Sequence, residues 1–273
     1  PIDADIDNVY SITATITDGT NTSTQAITIT VTDANEAPVI SSSATANAPE
    51  NLTGAIDVNH TDQDANPVDT ITYTLSGGVD ADLFDIDSGT GVVTFKIAPN
   101  FEANASNAGN NDYVIEVTAN DQSGLSNGAL SDTQTITISV TDVNEAPVFS
   151  SSTSLSINEG ETSVDTVVAS DIDGNGLTYS IDSTGRVDHA LFSIDASTGA
   201  LTMAAPDFEN ATDAFGTAND NVYGVTVKVT DDGSGALTAT HDISVTVINT
   251  NDNIPAITSA NAFSVAEGGT AVD

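Results

Sequence analysis

A short acidic connector that returns at a nearly fixed interval is the feature that most constrains how this chain folds. It reads Thr-Asp-Ala-Asn-Glu-Ala-Pro over residues 32–38 and Thr-Asp-Val-Asn-Glu-Ala-Pro over residues 141–147, and a copy with one residue added occupies residues 248–255. The interval of about 108 residues is too long for the stacked units of a solenoid and suits one whole domain per repeat. The chain is therefore predicted to consist of tandem domains.

The connectors also predict where the domains lie. An early glutamate keeps the same step through Glu50, Glu159 and Glu267. Because the repeats begin and stop inside a domain, we expect this sequence to be a segment of a longer chain. The predicted domains are the end of one repeat at residues 1–37, two complete repeats at residues 38–146 and 147–254, and the start of a further repeat at residues 255–273.

Within each repeat, apolar residues alternate with polar residues at period two, which predicts half-buried strands. The pattern is clear at residues 113–119 and 223–229, where a tyrosine begins a row of aliphatic residues. Valine and threonine are abundant and favour strands, and helix-period segments are missing. About seven short strands in about 108 residues, separated by Gly, Asn and Asp turns, predict an immunoglobulin-like β-sandwich. The predicted fold class is all-β.

The charge of the chain restricts its partners. Three Lys and Arg residues stand against 40 Asp and Glu residues, which gives a formal net charge of -37. Binding to phosphates needs cationic residues, so nucleic acid and anionic membrane surfaces are excluded as partners. No run of 18 apolar residues exists, so we expect no direct membrane insertion in this segment. Two interpretations of the acidic excess stay open: a surface adapted to salty water, and carboxylates that bind metal ions.

Acidic residues recur at four positions in each repeat, each at an expected strand end or loop. A glutamate lies near the start, two carboxylates separated by one residue follow, a Phe-Glu dipeptide comes later, and an aspartate follows the penultimate strand. In the second complete repeat these acids are Glu159, the pair Asp171 and Asp173, Glu209, and Asp231. The connector adds a fifth motif to this order.

This ordered set resembles the cadherin repeat, and the resemblance covers essentially the whole chain. It implies tandem immunoglobulin-like, cadherin-type Greek-key β-sandwiches in a linear array. It also implies that calcium ions lie at each joint between domains. In the family, the early and mid-repeat acids of one domain, the connector, and the paired and late acids of the next domain hold these ions.

Carried over by position, the resemblance implies a ligand set for each joint. At the first joint the implied ligands are Asn35, Glu36, Asp62, Asp64 and Asp121. At the middle joint they are Glu50, Glu102, Asn144, Glu145, Asp171, Asp173, Asn175 and Asp231. At the last joint they are Glu159, Asp207, Glu209, Asn251 and Asp252.

The chain departs from the family pattern in three ways. Asn100 stands where the family has the first acid of an Asp-x-Glu motif, so one middle-joint site is expected to be weaker or missing. The first two connectors are one residue shorter than the family's, and this form resembles bacterial cadherin-type repeats. The absence of tryptophan excludes the strand-swapped homophilic docking that some animal members use.

Physical arguments independent of the resemblance favour calcium. Carboxylate and carbonyl oxygens without nearby His or Cys are the ligands that Ca²⁺ prefers. Two unit charges about 4 Å apart repel by about 4 kcal/mol at an effective dielectric of about 20, so clustered acids hold a joint open until a divalent ion binds. Residues 171–176 also fit the opening of an EF-hand loop or an ordinary acidic turn. An EF-hand needs flanking helices, whereas residues 177–181 have a strand pattern.

We therefore expect a calcium-binding structural and adhesion module, a calcium-stiffened rod segment of a large extracellular surface or secreted protein. An enzyme is not expected, because the acidic motifs recur in every domain whereas an active site occurs once. The alternative is a carbohydrate-binding module of a bacterial extracellular protein. The expected partners are calcium ions, neighbouring repeats of the same chain, and another cell-surface protein or a polysaccharide.

Overall fold

The computed structural model describes residues 8–32, 35–63, 70–121, 128–253 and Glu267. The predicted ligand Asp64 lies outside the described residues, as does almost all of the further repeat predicted at residues 255–273. The chain divides into two compact units, residues 1–143 and residues 144–273. Each unit is described by itself below.

The first unit begins with a hairpin and continues with a sandwich of nine strands in the part of the chain described. The hairpin strands are β1 (Val9–Thr17) and β2 (Thr22–Thr30). The sandwich strands are β3 (Val39–Ile40), β4 (Thr45–Pro49), β5 (Gly54–Asp57), β6 (His60–Thr61), β7 (Ile71–Gly77), β8 (Phe84–Ile86), β9 (Val92–Phe95), β10 (Asp112–Asp121) and β11 (Ser131–Thr141). A short 3₁₀ helix, Ala81–Leu83, precedes β8.

The second unit repeats the sandwich with the same order of elements. Its strands are β12 (Val148–Phe149), β13 (Ser154–Asn158), β14 (Ser163–Thr166), β15 (Ala169–Ser170), β16 (Leu177–Ile181), β17 (Phe192–Ile194), β18 (Ala200–Met203), β19 (Val222–Asp231) and β20 (Thr238–Ile248). A 3₁₀ helix, Val187–Leu191, precedes β17. No helix in the described ranges is long and apolar enough to cross a membrane.

Both sandwiches have one four-stranded sheet and one three-stranded sheet. The four-stranded sheets run β4-β11-β10-β7 and β13-β20-β19-β16, and the three-stranded sheets run β5-β9-β8 and β14-β18-β17. The first long strand of each repeat pairs in parallel with the last, β4 with β11 and β13 with β20, while the other pairs are antiparallel. The predicted all-β, immunoglobulin-like Greek-key sandwich is therefore confirmed.

The structure divides each repeat more finely than the roughly seven strands that the sequence predicts. The two-residue pairs β3-β6 and β12-β15 form separate small sheets in each sandwich. Residues 41–44 separate β3 from β4, and serine occupies three of these four positions. Ser43 Oγ accepts a 3.2 Å bond from the backbone N–H of Thr45, a local bond that competes with the ladder of a continuous strand.

The core of each unit comes from the alternating faces of the long strands. In β10, the buried side chains are Tyr113, Ile115, Val117, Ala119 and Asp121. β19 buries the matching row, and it ends in the same way at Asp231. Because side chains of one strand share a face at period two, the carboxylate of each last residue is carried to the inward side at the end of the sheet.

The tyrosines of β10 and β19 belong to the core. Tyr113 and Tyr223 are each 2% exposed. Tyr113 also packs edge-to-face against Phe84 and Phe95, with ring centroids 5.9 and 5.2 Å away. Phe84 and Phe192 are buried as well. These two tyrosines therefore offer no exposed ring on which a sugar could stack.

The hairpin of the first unit carries the same inward pattern as the long strands without the same burial. Tyr10 pairs with Ile29, as Tyr113 pairs with Ile138. Ile16 and Ile29 are 73% and 50% exposed, whereas Ile138 is fully buried. Within the described residues, no second sheet therefore covers the apolar face of the hairpin.

Candidate metal centres

In the first unit, Glu50 fastens three segments together where β4 ends. Its side chain is 1% exposed. Its Oε2 accepts a 2.8 Å hydrogen bond from the Phe101 N–H, and its Oε1 accepts one of 2.9 Å from the Val143 N–H. Its own N–H donates to the carbonyl oxygen of Thr141 at 3.1 Å. Glu50 thus holds the mid-repeat loop and the beginning of the connector at one end of the sandwich.

Two further carboxylates lie beside Glu50. Carboxylate oxygens of Glu50, Glu102 and Asp142 lie within 4.8 Å of one another. Glu102 follows Phe101 directly, so the bond from Phe101 to Glu50 brings it to this place. Three acids at this separation make a concentrated negative charge on oxygen donors, which is the donor chemistry that calcium prefers.

The second unit repeats this arrangement at its own distal end. Glu159 Oε2 accepts from the Phe208 N–H at 3.1 Å, and Oε1 accepts from the hydroxyl of Thr250 at 3.0 Å and from the Thr250 N–H. The carboxylate oxygens of Glu159, Glu209 and Asp252 lie within 4.8 Å of one another. The early and mid-repeat glutamates therefore hold equivalent places in the two clusters. The third acid differs, because Asp142 directly follows Thr141 whereas Asp252 lies four residues after Ile248, the counterpart of Thr141.

The charges of this second cluster act on one another. The negative charge of Glu159 raises the pKa of Asp252, with burial and the charges of Glu209 and Asp207 adding to the effect. Hydrogen bonds from the backbone of Thr250 and Phe208 lower the pKa of Glu159. Glu159 therefore stays ionised, and its charge opposes the ionisation of Asp252 until a cation offsets it.

A different set of predicted ligands meets at the opposite end of the second unit. Asn144 Nδ2 donates to Asp231 Oδ2 at 3.2 Å, and Asn144 Oδ1 accepts from Asn175 Nδ2 at 2.7 Å. Asp173 Oδ2 accepts from the Glu145 N–H at 2.8 Å, and Asp171 Oδ1 accepts from the Asp173 N–H at 3.0 Å. The second half of the connector, the paired acids and the late aspartate are thus brought together within one unit.

The first unit carries a matching contact at its own start. Asn35 Nδ2 donates to Asp121 Oδ2 at 3.0 Å and to the carbonyl oxygen of Gly128 at 2.9 Å. Asp121 is fully buried, and its Oδ1 accepts from the Leu130 N–H at 2.8 Å. Glu36 is exposed and Asp62 is half-buried. The contact between Asn35 and Asp121 corresponds to that between Asn144 and Asp231.

Three of these groups present buried oxygens that no hydrogen bond satisfies. They are Asn35 Oδ1, Asp171 Oδ2 and Asp173 Oδ1. A buried polar atom without a partner costs about 1–3 kcal/mol, and more when it is charged. Oxygen atoms of carboxylate and amide groups left in this state have the chemistry of calcium ligands, so the residues present fit the ion that the fold family implies.

The remaining predicted ligands of the last joint are more open. Asp207 and Asn251 are exposed. Asp207 Oδ1 accepts from the Asn210 N–H at 3.0 Å, and Oδ2 accepts from Asn210 Nδ2 at 2.9 Å, which lowers the pKa of Asp207. The charges of Asp207, Glu159 and Glu209 all act on Asp252, so Asp207 lies near the cluster without belonging to its closest group.

Sequence reasoning missed several residues that shape these sites. Asp142 was not among the predicted ligands, although it belongs to the Glu50 cluster. Asn111 and Asn221 have left-handed backbone conformations, and their Nδ2 atoms donate to the carbonyl oxygens of Phe101 and Phe208, just before Glu102 and Glu209. The shared Asn-x-Tyr pattern before each long strand was the signal that could have revealed the asparagines.

Comparison with known proteins matches this arrangement to one family. A family model described as a cadherin domain matches residues 44–141. Cadherin-7 of Gallus gallus is 30% identical over 251 residues, which cover 85% of this chain and 30% of that protein. The chain belongs to the cadherin family. Human cadherin-related family member 2 is 31% identical over 205 residues, which cover 72% of this chain and 15% of that protein.

Solved cadherin structures share the fold. Human CDH23 EC21-23 superposes with a TM-score of 0.53 at 20% identity, covering 87% of this chain and 74% of that one. Human Protocadherin-24 EC1-2 superposes with a TM-score of 0.50 at 23% identity, covering 79% of this chain and all of that one. The chain spans less than a third of the length of the curated cadherins it matches. As a set of cadherin repeats it is an extracellular module.

Proposed function

We propose that this segment is a calcium-binding structural and adhesion module in which Ca²⁺ stiffens the joints between successive repeats. Cadherin domains generally bind calcium. The observation that carries the proposal for this chain is the set of buried, unsatisfied oxygens of Asn35, Asp171 and Asp173 beside other acids. A cation coordinated by these atoms removes the cost of burying them unsatisfied.

The electrostatics of the carboxylate clusters support the same proposal. The carboxylate oxygens of each cluster lie within 4.8 Å of one another, and at that upper limit two unit charges repel by about 3.5 kcal/mol at an effective dielectric of about 20. The chain has three basic side chains, and each lies by a carboxylate outside the clusters: Lys96 by Asp85, Arg186 by Asp242, and Lys228 by Asp182. Because no Lys or Arg side chain lies in the clusters, a divalent ion would supply the positive charge that offsets their carboxylates.

The proposed ligand set follows the two ends of each repeat. At the distal end Glu50 and Glu102, or Glu159 and Glu209, would contribute carboxylates, and the connector would add Glu145 or Asp252. At the start of the second unit, Asp171, Asp173, Asn175 and Asp231 would contribute oxygens together with Asn144. In the family pattern, ions at a joint draw ligands from two successive repeats, and we extend that pattern to this chain.

The chain's own residues prepare these positions before any ion binds. Glu50 accepts the Val143 N–H, and Asp173 accepts the Glu145 N–H, so both halves of the connector are fastened to a sandwich. Such fixed geometry reduces the ordering cost of binding. Ions shared by consecutive domains restrict the bending of the connector, and they stabilise the folded state by mass action.

The wider role follows from the family. Cadherin domains belong to non-enzymatic adhesion proteins, and we propose that this segment acts as a spacer in a large extracellular protein with no catalytic activity of its own. Its proposed partners are calcium ions, the neighbouring repeats, and a cell-surface protein or polysaccharide bound by the parent protein. The shortened connectors support a proposed bacterial origin, although the relatives named above are animal proteins.

A calcium titration of residues 1–273 tests the proposal. We expect saturable binding by calorimetry, a rise in melting temperature, and a longer maximum dimension in X-ray scattering when Ca²⁺ replaces a chelator. Asp173→Ala is expected to weaken binding at the middle joint and to leave the last joint intact. Asp165→Asn, on an exposed position of β14, is the matched control. Identical melting and scattering with calcium and with chelator overturn the proposal.

A further inference from the structure

An apolar pocket opens in the first repeat where β9 ends. Its volume is about 480 Å³, and none of the clustered acids of this repeat lines it. Leu83 and Ile97, which line it, are 41% and 84% exposed, so apolar surface at this pocket is left in water. The other apolar side chains in its walls include Phe95, Ala103, Ala105 and Tyr113. A concave site of several hundred Å³ with mostly apolar walls is the usual form of a small-molecule site.

The second repeat has a pocket at the same place, and it is much smaller, at about 120 Å³. Backbone bonds establish the correspondence. The Lys96 N–H donates to the carbonyl oxygen of Leu83 at 2.9 Å, and the Ala204 N–H donates to that of Leu191 at 2.8 Å. Lys96 and Ala204 therefore hold equivalent positions. The two repeats share one scaffold here, so differences between the pockets come from the residues that line them.

The chain that follows β9 is one residue longer in the first repeat. The Asn51 N–H donates to the carbonyl oxygen of Pro99, and the Gly160 N–H donates to that of Pro206, both at 2.9 Å. The two prolines are therefore equivalent. Two residues, 97 and 98, precede Pro99 after the lysine, whereas one residue, 205, precedes Pro206 after the equivalent alanine. The added residue lengthens the wall of the pocket.

The opposite wall is smaller and more apolar in the first repeat. The residue at the start of this loop caps the same turn in both repeats, with the N–H of Ala103 as donor at 2.7 Å and the N–H of Asn210 at 3.0 Å. Ala103 thus takes the place of Asn210, and two residues later Ala105 takes the place of Thr212. All four line their pockets. Two polar side chains are replaced by methyl groups, which enlarges the pocket and removes polar atoms from its wall.

Lys96 adds a positive charge to this wall. It is one of only three Lys and Arg residues in the chain, and Ala204 stands at its place in the second repeat. Lys96 Nζ donates to the carbonyl oxygen of Asp82 at 2.8 Å and lies 3.8 Å from Asp85 Oδ1, and its side chain is 47% exposed. An ammonium group has three protons to donate, and an exposed ion pair of this length contributes little. The ammonium group therefore retains donor capacity for a ligand.

A larger apolar cavity beside an added cation complements a molecule with an apolar body and an anionic end. We propose that this pocket binds a medium-chain carboxylate, with the hydrocarbon chain against Leu83 and Ile97 and the carboxylate at the Lys96 ammonium group. Burial of the chain supplies the affinity, and the charge pair fixes the orientation. This activity goes beyond the proposed function and needs no calcium.

Methyl NMR of residues 1–273 labelled at alanine tests the assignment, in chelator and 0.15 M NaCl. Decanoate is expected to shift the signals of Ala103 and Ala105 saturably, and to leave those of Ala200 and Ala239 in the second unit unchanged. Octanoate is expected to bind more weakly, by up to about fourfold for each methylene removed. Decanol serves as the uncharged probe of the same chain length.

Two variants examine the charge and the cavity separately. Lys96→Met is expected to weaken decanoate binding by up to about fivefold and to leave decanol binding unchanged. Lys228→Met removes a basic side chain from the second unit, and as the matched control it is expected to change neither affinity. Ala103→Asn/Ala105→Thr copies the wall of the second repeat, and it is expected to weaken both probes on the order of tenfold.

The melting temperature in chelator verifies that each variant folds, and if the double variant does not fold, Lys96→Met still tests the assignment. Unshifted signals from Ala103 and Ala105, or equal shifts in both units, overturn the pocket as a site. Equal losses of decanoate and decanol binding in Lys96→Met, or no loss of either, overturn the carboxylate as its ligand. Signals that shift on raising the protein concentration alone assign the pocket to a second copy of the chain and also overturn the proposal.

Discussion

At the scale of single residues, buried carboxylates in this chain serve two separate purposes. Those of the distal clusters face other acids within 4.8 Å. Asp80 and Asp188 instead face only backbone donors among the contacts described: Asp80 accepts from the N–H groups of Asn107 and Val114 at 2.6 and 2.8 Å. Their carboxylates are satisfied by N–H groups and belong to neither group of clustered acids in the described residues, so these two aspartates are structural residues outside the metal centres.

The first prediction concerns Asp188. Its carboxylate accepts from the N–H groups of Ala214, Phe215 and Gly224 at 2.8, 3.3 and 2.9 Å. Asp188→Ala leaves three donors unsatisfied, which we expect to lower the free energy of unfolding by about 3 kcal/mol. The same substitution also removes one negative charge, and the reduced repulsion stabilises the chain by less than about 1 kcal/mol. The net effect is therefore destabilisation. Urea unfolding measures it.

The control for Asp188→Ala is Asp165→Ala, because Asp165 is an exposed acid of the same unit. It removes the same charge without stranding a buried donor, and its effect is expected to be within about 0.5 kcal/mol. The deficit of Asp188→Ala is also expected to be the same in calcium and in chelator. A deficit that appears only with calcium contradicts the structural role given to Asp188.

The second prediction concerns the pH dependence of a turn. Asp195 Oδ1 accepts from the N–H and hydroxyl groups of both Ser197 and Thr198, and these bonds, that of the Ser197 hydroxyl first, lower its pKa from 3.8 to about 2. Since the folded pKa is below the unfolded one, the stabilisation is fully present above about pH 4 and is lost as pH falls towards 2.

We therefore expect Asp195→Ala to be less stable than the unaltered chain at pH 6, and this deficit to shrink as the pH falls to 2.5. Chemical unfolding at intervals of half a pH unit, in chelator, measures the difference. Asp165→Ala is expected to show a small difference that does not change over the same range. A deficit for Asp195→Ala that stays constant from pH 6 to pH 2.5 shows that the carboxylate charge does not stabilise the turn.

At the scale of strands and turns, the period-two pattern predicted the parts of the fold that matter most for the sites. It placed Tyr113 and Tyr223 in buried rows whose last members are Asp121 and Asp231. The phase of a strand is a local property, because each side chain points opposite to its neighbour. The inward position of the late aspartates was therefore accessible from sequence.

Other features depend on contacts between segments distant in sequence, which no local pattern contains. The parallel pairing of β4 with β11 joins residues more than 90 positions apart. Asp188 meets Gly224 across 36 positions, and its sequence context gives no sign of burial. Asp142 lies near Glu50 because the Glu50 carboxylate accepts a hydrogen bond from the N–H of the next residue, Val143. The connector sequence alone does not determine that contact.

The third prediction concerns the turn between β17 and β18. Gly199 has a φ of +71°, and a Cβ there would lie 2.2 Å from the carbonyl oxygen of Val167. Gly91, the equivalent residue in the first repeat, has a φ of +78° and the same clash with Val58. A left-handed conformation costs an L-residue about 1–2 kcal/mol. The clash adds about 1–3 kcal/mol, so Gly199→Ala should cost about 3 kcal/mol.

Gly216 provides the matched control, because its φ is also +71° and an added Cβ would meet nothing within 4 Å. Gly216→Ala is expected to show the conformational cost alone, about 1–2 kcal/mol. Thermal and urea unfolding of both variants in chelator separates the two contributions. Equal destabilisation by the two substitutions rules out the contact with Val167 as the reason for glycine at position 199.

At the scale of the whole molecule, the net charge of -37 admits two explanations with different consequences. Carboxylates on a surface adapted to salt repel over long distances and respond to any ion that screens them. Carboxylates gathered within 4.8 Å of one another, and buried oxygens that no hydrogen bond satisfies, respond to an ion that coordinates them. The two effects coexist in one chain, and they differ in the concentration and identity of the cation required.

The last prediction separates these effects by melting temperature. In chelator, raising NaCl from 0.1 M to 1 M shortens the Debye length from about 10 Å to about 3 Å, which we expect to raise the melting temperature by several degrees. Adding 1 mM CaCl2 at 0.1 M NaCl barely changes ionic strength, so screening predicts almost no effect. We expect calcium to raise the melting temperature by more than 1 M NaCl does.

MgCl2 at 1 mM is the control of equal charge, and it is expected to stabilise the chain less because Mg²⁺ demands six ligands in near-ideal octahedral geometry. Calcium could instead raise the melting temperature no more than magnesium does, with both rises no larger than the change in ionic strength predicts. The acidic residues would then contribute only surface hydration and electrostatic repulsion, without coordinating calcium.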